Sequence, residues 1–189
     1  MNIRSYYSVL IFLLLSLSNL YAQDTEGIIA GQRTEEDFRK LEVEVLEKIL
    51  WLEENPIATV SNDTKGMTEF ILDWLTNTPY ITVTYDEVFL ESITTKKYKF
   101  IEKFRVTYLF GKSYYAITHV DQFEEVDAST RGIEGMVKVY SELKRMDPSA
   151  KHRQLEKYSR LVKSGKLESY VRNKLMTQET EEEIIPEPY

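Results

Sequence analysis

Residues 95–118 read TKKYKFIEKFRVTYLFGKSYYAIT, an aromatic-rich segment with helical periodicity. One stripe of this segment has spacings of three and four and carries Phe100, Phe104, Tyr108, Gly111 and Tyr115. Apolar and aromatic residues also occupy the other sides, a composition typical of a helix buried at the centre of a domain. Gly111 lowers helix stability by about 1 kcal/mol relative to alanine. Its place on the stripe therefore predicts that another helix approaches closely there.

Apolar residues at helical spacing predict further helices on both sides of this segment. Before it, Thr34 caps a helix that ends near residue 54, and a second helix covers residues 64–75. After it come helices at residues 127–146, between a cap at Ser149 and Gly165, and at residues 166–174. The pattern predicts an all-α fold, an irregular bundle of about five or six helices with one short extended connector.

The extended connector is predicted at residues 80–85, where Ile81, Val83 and Tyr85 alternate with threonines. A single strand without a partner does not make a sheet. We therefore expect the segment to pack along a helix, with Asp86 capping a short helical turn after it.

The first 22 residues have the features of a secretory signal peptide. Arg4 precedes a short apolar run, and Ala22 is a small residue at the predicted cleavage point. The run is shorter than the roughly 20 residues that span a bilayer. The segment predicts a periplasmic or secreted protein that is not anchored in a membrane after cleavage. The other predicted parts are a flexible lead-in at 23–33, a single helical domain at 34–175 and an acidic disordered tail at 176–189.

Composition and motifs favour a protein without catalytic machinery. The chain has no cysteine, which excludes disulfides, thiol nucleophiles and cysteine metal sites. It has no phosphate-binding glycine loop and no G-x-S-x-G motif, and we predict no cofactor. His119 and His152 have no second histidine at helical spacing. The acidic residues at 121–127 are interpreted as a solvated loop, since they lack the ligand pattern of a calcium site.

Charge is distributed unevenly along the chain, whose net charge is −7. Residues 23–130 have a net charge of −10, residues 131–174 have +7, and residues 175–189 have −5. The basic segment has two interpretations: solvated faces of amphipathic helices, or a surface for an anionic partner. The acidic tail disfavours nucleic acid as that partner, because it competes for the same surface.

The leading hypothesis is a non-enzymatic protein that binds an anionic envelope component or another protein. Five basic residues are the predicted contact: Arg145, Lys151, Arg153, Lys157 and Arg160. The alternative is a small-ligand-binding protein or enzyme with a pocket beside the aromatic helix 95–118, lined by Tyr108 and Tyr115 and holding a buried carboxylate or histidine. A structural envelope protein without a ligand is a third possibility. The oligomeric state stays open.

Two resemblances accompany these patterns. Residues 139–166, with Tyr140, Asp147-Pro148 and Gly165, resemble one tetratricopeptide-type hairpin, although Tyr158 stands where that family has a small residue. This resemblance implies a helical hairpin and protein binding. The segments 74–79 and 165–170 and the long aromatic helix resemble small exported helical proteins of Gram-negative bacteria whose function is unknown. That resemblance implies an all-α fold and export, and no active site.

Overall fold

A buried helix, Ile101–Thr118, lies between two hydrophobic cores. We describe the fold from a computed structural model, in which residues 33–56, 62–94 and 98–184 are described. The predicted signal peptide and almost all of the predicted lead-in lie outside those residues. The described ranges contain no strand and seven α-helices: α1 Glu35–Glu54, α2 Asn62–Asn77, α3 Glu87–Leu90, α4 Ile101–Thr118, α5 Glu125–Met146, α6 Arg153–Lys163 and α7 Leu167–Ile184. The predicted all-α class is confirmed.

The first core lies between α4 and four other helices, α3, α5, α6 and α7. Phe104 and Tyr108 supply the side of α4 that faces this core. Two tyrosine hydroxyls hold it together by donating to backbone carbonyls. Tyr98 donates to the oxygen of Ala150 at 2.6 Å, and Tyr158 donates to that of Phe89 at 2.8 Å. Buried hydroxyls need such partners, because an unpaired one keeps its full desolvation cost.

The second core lies on the other side of α4. Phe110, Ala116 and Ile117 of that helix pack against α1, α2 and the connector before α3. The Trp74 indole, fully buried, donates to the carbonyl oxygen of Phe38 at 3.0 Å and so joins α2 to α1. Because α4 contributes to both cores, it is the central buried helix that its aromatic composition predicts.

Helices α4 and α5 approach so closely that glycine is required at their crossing. A Cβ atom on Gly111 would lie 2.8 Å from the carbonyl oxygen of Arg131 and 2.9 Å from Cα of Gly132. A Cβ atom on Gly132 would lie 2.8 Å from the Tyr108 ring. Real Cβ atoms do not approach other atoms so closely, and the prediction drawn from Gly111 is confirmed.

The connector and the turn after α6 also follow the sequence prediction. Residues 81–85 form no helix; Ile81 is buried, and the Tyr80 hydroxyl donates to Glu42 of α1 at 2.8 Å. Gly165 has a φ of +66°, the left-handed conformation expected at a helix C-terminus. Within the described residues, no helix combines the length and hydropathy that a bilayer-spanning segment requires.

Three helix ends differ from the sequence prediction by three residues or more. Helix α4 begins at Ile101. Tyr98 lies before it, and its ring stacks on that of Phe104. Residues six apart do not share a face of one helix, so this contact requires Tyr98 to lie outside α4. The cap of α6 is the His152 side chain, whereas Ser149 belongs to a 3₁₀ turn. Helix α7 continues to Ile184, so residues 176–184 of the predicted disordered tail are helical; residues 185–189 lie outside the described part. Half-buried Leu175 packs against the first core and extends the contact of α7 beyond residue 174.

Candidate functional site

Helix α6 presents a basic face to solvent because its other face is anchored in the first core. Leu155 and Tyr158 are fully buried, and the Tyr158 hydroxyl is bonded to the backbone of α3. Arg153, Lys157 and Arg160 lie four and three residues apart and therefore share the opposite face. The amphipathic sequence of α6 thus determines where its cations point.

These cations border a cleft of about 590 Å³, here called the basic cleft. Its lining comes from the turn after α3, from the residue that caps α6 and from α6 itself: Ser92, His152, Arg153, Gln154, Lys157 and Arg160. No carboxylate belongs to this set. Clefts that hold small ligands have volumes of roughly 300–1,000 Å³, so the basic cleft has the size of a binding site.

Within the described part of the chain, the three cations of the basic cleft form no ion pair with a carboxylate. The Lys157 ammonium lies 4.3 Å from the centre of the Tyr170 ring, a cation–π contact that holds the side chain beside the cleft. Glu156 is the acidic residue of α6, and it is held by other groups. It accepts from the Tyr140 hydroxyl and the Lys144 ammonium, both at 2.7 Å.

These two bonds lower the pKa of Glu156, so this carboxylate is ionised and occupied at neutral pH. Its position leaves the three cleft cations uncompensated.

His152 shapes the floor of the cleft. Its Nδ1 accepts a hydrogen bond from the Gln154 backbone N–H at 3.3 Å, and its ring lies 4.8 Å from that of Tyr98. Burial lowers the pKa of His152 below its ordinary value, which favours the neutral imidazole. The positive charge of the cleft therefore comes from the arginines and the lysine.

The structure brings together three of the five predicted contact residues. Arg153, Lys157 and Arg160 line the basic cleft. Arg145 is exposed at the end of α5 and pairs with Glu142 at 2.9 Å. Lys151 is exposed just before α6 and is not among the residues that line the cleft. Arg145 and Lys151 thus do not line the basic cleft.

A buried charged cluster escaped the sequence analysis. The Lys112 ammonium, 1% exposed, donates to Asp86 at 2.7 Å, to the Thr84 carbonyl oxygen at 3.1 Å and to Glu125. Asp86 Oδ2 also accepts from the hydroxyls of Tyr108 and Ser129. These five side chains are here called the Lys112 cluster: Asp86, Tyr108, Lys112, Glu125 and Ser129. It joins the connector to α4 and α5.

Asp86 therefore has a different role from the predicted one. It occupies the N-cap position of α3, but its side chain makes no capping hydrogen bond. The carboxylate turns instead toward Lys112, because a buried ammonium without an anion is far less stable. One signal for this was present: Lys112 lies four residues after Tyr108 and is the one charged residue in the later part of the helix, residues 108–118, so a cation there needs a carboxylate from another element.

The Lys112 cluster has the features of a structural lock. An ammonium has three N–H donors, and all three have partners, so the amine is not free to attack a substrate. The cluster borders a cleft of about 350 Å³ whose outer wall is α7. Burial and the neighbouring Asp86 raise the pKa of Tyr108, which keeps its hydroxyl a donor.

The two tyrosines of the alternative hypothesis occupy different environments. Tyr108 is fully buried, packs on Phe89 and bonds to Asp86, a half-buried carboxylate. Tyr115 is stacked on His119, with ring centres 4.1 Å apart. Among the residues that the structure describes, no three histidine or carboxylate side chains are grouped as a metal ion would require.

Comparison with known proteins adds no family. The chain matches no protein-family model, no curated protein and no solved structure.

Proposed function

We propose that this protein is an exported, non-enzymatic binding protein that holds an anionic group of an envelope component in the basic cleft. One observation carries the proposal: three cations line one cleft, and none pairs with a carboxylate within the described residues. The location outside the cytosol rests on the leader-like sequence of residues 1–22.

Electrostatics support an anionic ligand. Three like charges around one cleft repel each other, and an anion between them removes that repulsion. Arginine offers a planar fork of donors that matches phosphate and carboxylate oxygens. Arg153 and Arg160 lie on either side of Lys157 along α6, so an oxyanion held at the centre has donors from both sides.

The overall charge of −7 favours short-range recognition over long-range attraction. The net negative charge repels a polyanion, whereas the three cations of the basic cleft attract it at short range. We therefore propose an acidic glycan or the acidic headgroup of lipopolysaccharide as the partner, and expect the binding to weaken steeply with salt.

Titration with heparin, a soluble acidic glycan, tests this function. We expect binding by isothermal titration calorimetry at about 50 mM salt and much weaker binding at about 200 mM. The triple variant R153Q/K157Q/R160Q removes three positive charges from the cleft. Its affinity is expected to fall by tenfold or more, since charge-assisted contacts of this kind contribute roughly 1.5–3 kcal/mol each.

The matched control is the triple variant K40Q/K138Q/R172Q. It removes the same charge from exposed residues that pair with carboxylates elsewhere. Its heparin affinity is expected to stay within about twofold of the native value, because distant exposed charges are screened at these salt concentrations. Equal losses in both variants, or no heparin binding at low salt, would refute the basic cleft as the binding site.

A further inference from the structure

An apolar cavity of about 560 Å³ lies beside α4, separate from the basic cleft. Its walls come from α1, α2, α4 and the end of α5, together with Phe100 just before α4. The large apolar side chains that line it are Leu52, Phe100, Val106, Phe110 and Leu143. Such a cavity, with apolar walls and a few polar groups, is the usual form of a small-molecule site.

Lys103 is the unusual residue of this cavity. Its side chain is half-buried, and within the described residues its ammonium has neither an ion pair nor a hydrogen bond. The other charges around the cavity are compensated: Lys65 pairs with Glu69 at 3.6 Å, and Glu102 pairs with Arg105 at 3.0 Å. Among the described residues that line the cavity, Lys103 is therefore the cation that no carboxylate balances.

A second polar group faces the same cavity without a partner. Thr107 lies one helical turn after Lys103, lines the cavity and is 8% exposed. Its hydroxyl makes no hydrogen bond to any residue that the structure describes. Among the described residues, the fully buried side-chain oxygens without a partner are those of Thr78 and Thr130, so the Thr107 hydroxyl keeps access to the cavity and can donate to a ligand there.

We propose that the apolar cavity binds an amphipathic molecule with one aliphatic chain and one carboxylate. The aliphatic chain lies against Leu52, Val106 and Phe110. The carboxylate lies beside Lys103 and accepts from the Thr107 hydroxyl.

This ligand satisfies both unpartnered groups at once. Burial without a counter-ion lowers the pKa of Lys103 to about 8, and a bound carboxylate restores the balance of charge. An uncharged chain of the same length fills the space between the apolar walls but leaves the charge of Lys103 without a counter-ion. A short carboxylate reaches Lys103 but gains little from apolar burial, since each buried CH₂ contributes only about 0.8 kcal/mol. The cavity thus favours a ligand that has both an aliphatic chain and a carboxylate.

Calorimetric titration of the purified protein with decanoate tests the proposal. Decan-1-ol and butanoate are the comparison ligands, because each lacks one part of the amphipathic molecule. We expect one equivalent of decanoate to bind, decan-1-ol to bind about tenfold more weakly, and butanoate to show no measurable binding. Equal binding of decanoate and decan-1-ol, or no binding of decanoate, overturns the proposal.

Lys103→Gln locates the carboxylate. The substitution keeps most of the stem but removes the charge, so decanoate affinity is expected to fall about tenfold to the level of decan-1-ol. Lys65→Gln is the matched control: it removes a lysine charge at the same cavity, but one already paired with Glu69, and is expected to change affinity by less than about twofold. Unchanged decanoate binding by the Lys103 variant overturns the assignment. Heparin binding is expected to be the same in both variants, which separates this site from the basic cleft.

The pH dependence of binding provides an independent readout. The titratable groups that border Lys103 are Lys65 and Glu69 on α2 and Glu102 on its own helix. Lys103 loses its charge as the pH rises through about 8. Decanoate affinity is expected to be constant between about pH 6 and about pH 8, where the ligand carboxylate and Lys103 are both charged, and to fall above that range, whereas decan-1-ol affinity stays constant. A pH-independent decanoate affinity in the native protein contradicts the role of Lys103.

Discussion

Lys112 is the residue whose environment departs furthest from what its chemistry favours in isolation. Its ammonium is taken out of water and surrounded by two carboxylates and a backbone carbonyl. Burying an ion costs several kcal/mol, and good geometry repays that cost only while both partners remain. The connector, α4 and α5 are thus held together by ion pairs that depend on the ammonium of Lys112 and on its carboxylate partners.

Lys112→Met is expected to lower the free energy of unfolding by about 3–5 kcal/mol, because it leaves Asp86, whose side chain is only 14% exposed, without a cation. Urea denaturation followed by circular dichroism measures the change. Lys99→Met is the control, since it breaks an exposed ion pair with Asp147 and is expected to cost at most about 1 kcal/mol. Similar losses from the two substitutions would mean that burial of the Lys112 cluster adds nothing to its strength.

At the scale of elements, the crossing of α4 and α5 depends on glycines that are poor helix formers. Gly111 and Gly132 let the two backbones meet where any side chain would collide with the opposite helix. Gly66 in α2 is different: a Cβ atom there would have no neighbour within 4 Å. The same residue type therefore has opposite consequences in two helices.

Gly111→Ala and Gly66→Ala are expected to change stability in opposite directions. Alanine at position 66 stabilises the protein by up to about 1 kcal/mol through helix propensity alone. Alanine at position 111 gains the same propensity but forces the backbones apart, and overpacking of about 1–3 kcal/mol makes the net effect destabilising. Urea midpoints of the two variants decide the matter. A stabilised Gly111 variant would show that α5 can shift without cost.

At the scale of the whole molecule, the two hydrophobic cores are connected by more than their shared helix α4. Glu53 of α1 and Arg131 of α5 form a two-pronged ion pair, with N–O distances of 2.8 and 3.0 Å. The Glu53 side chain is only 4% exposed, and its carboxylate fills the space beside Gly135. Unfolding of either core therefore breaks this ion pair and exposes the charged partner that belongs to the other core.

We expect the two cores to unfold in one transition. Both tryptophans, Trp51 and Trp74, lie in α1 and α2, so fluorescence reports the second core, whereas far-ultraviolet circular dichroism reports all helices. Tyr158→Phe removes a hydrogen bond in the first core at a cost of about 1 kcal/mol. Its urea midpoint is expected to fall equally by both probes. A fluorescence midpoint that stays in place while the dichroism midpoint moves would mean that the cores unfold separately.

The amino-acid sequence by itself determined the helical class, the central position of α4, the close approach at Gly111 and the left-handed turn at Gly165. These features are local: periodicity places apolar residues on a helix face, and a glycine on a buried stripe has few other uses. Residues 176–184 were harder to place, because their acidic composition is compatible with both disorder and an exposed helix end.

Only the tertiary structure decided which charged groups meet. Asp86 looked like a helix cap and became a partner of Lys112; Arg145 looked equivalent to Arg160 and lies outside the basic cleft. Lys103 gave no signal in the sequence, yet it is the uncompensated cation of the apolar cavity. The physical reason is the same in each case. A helical pattern determines which face a residue occupies, but its pairing depends on which element packs against that face, and no local pattern of residues encodes that choice.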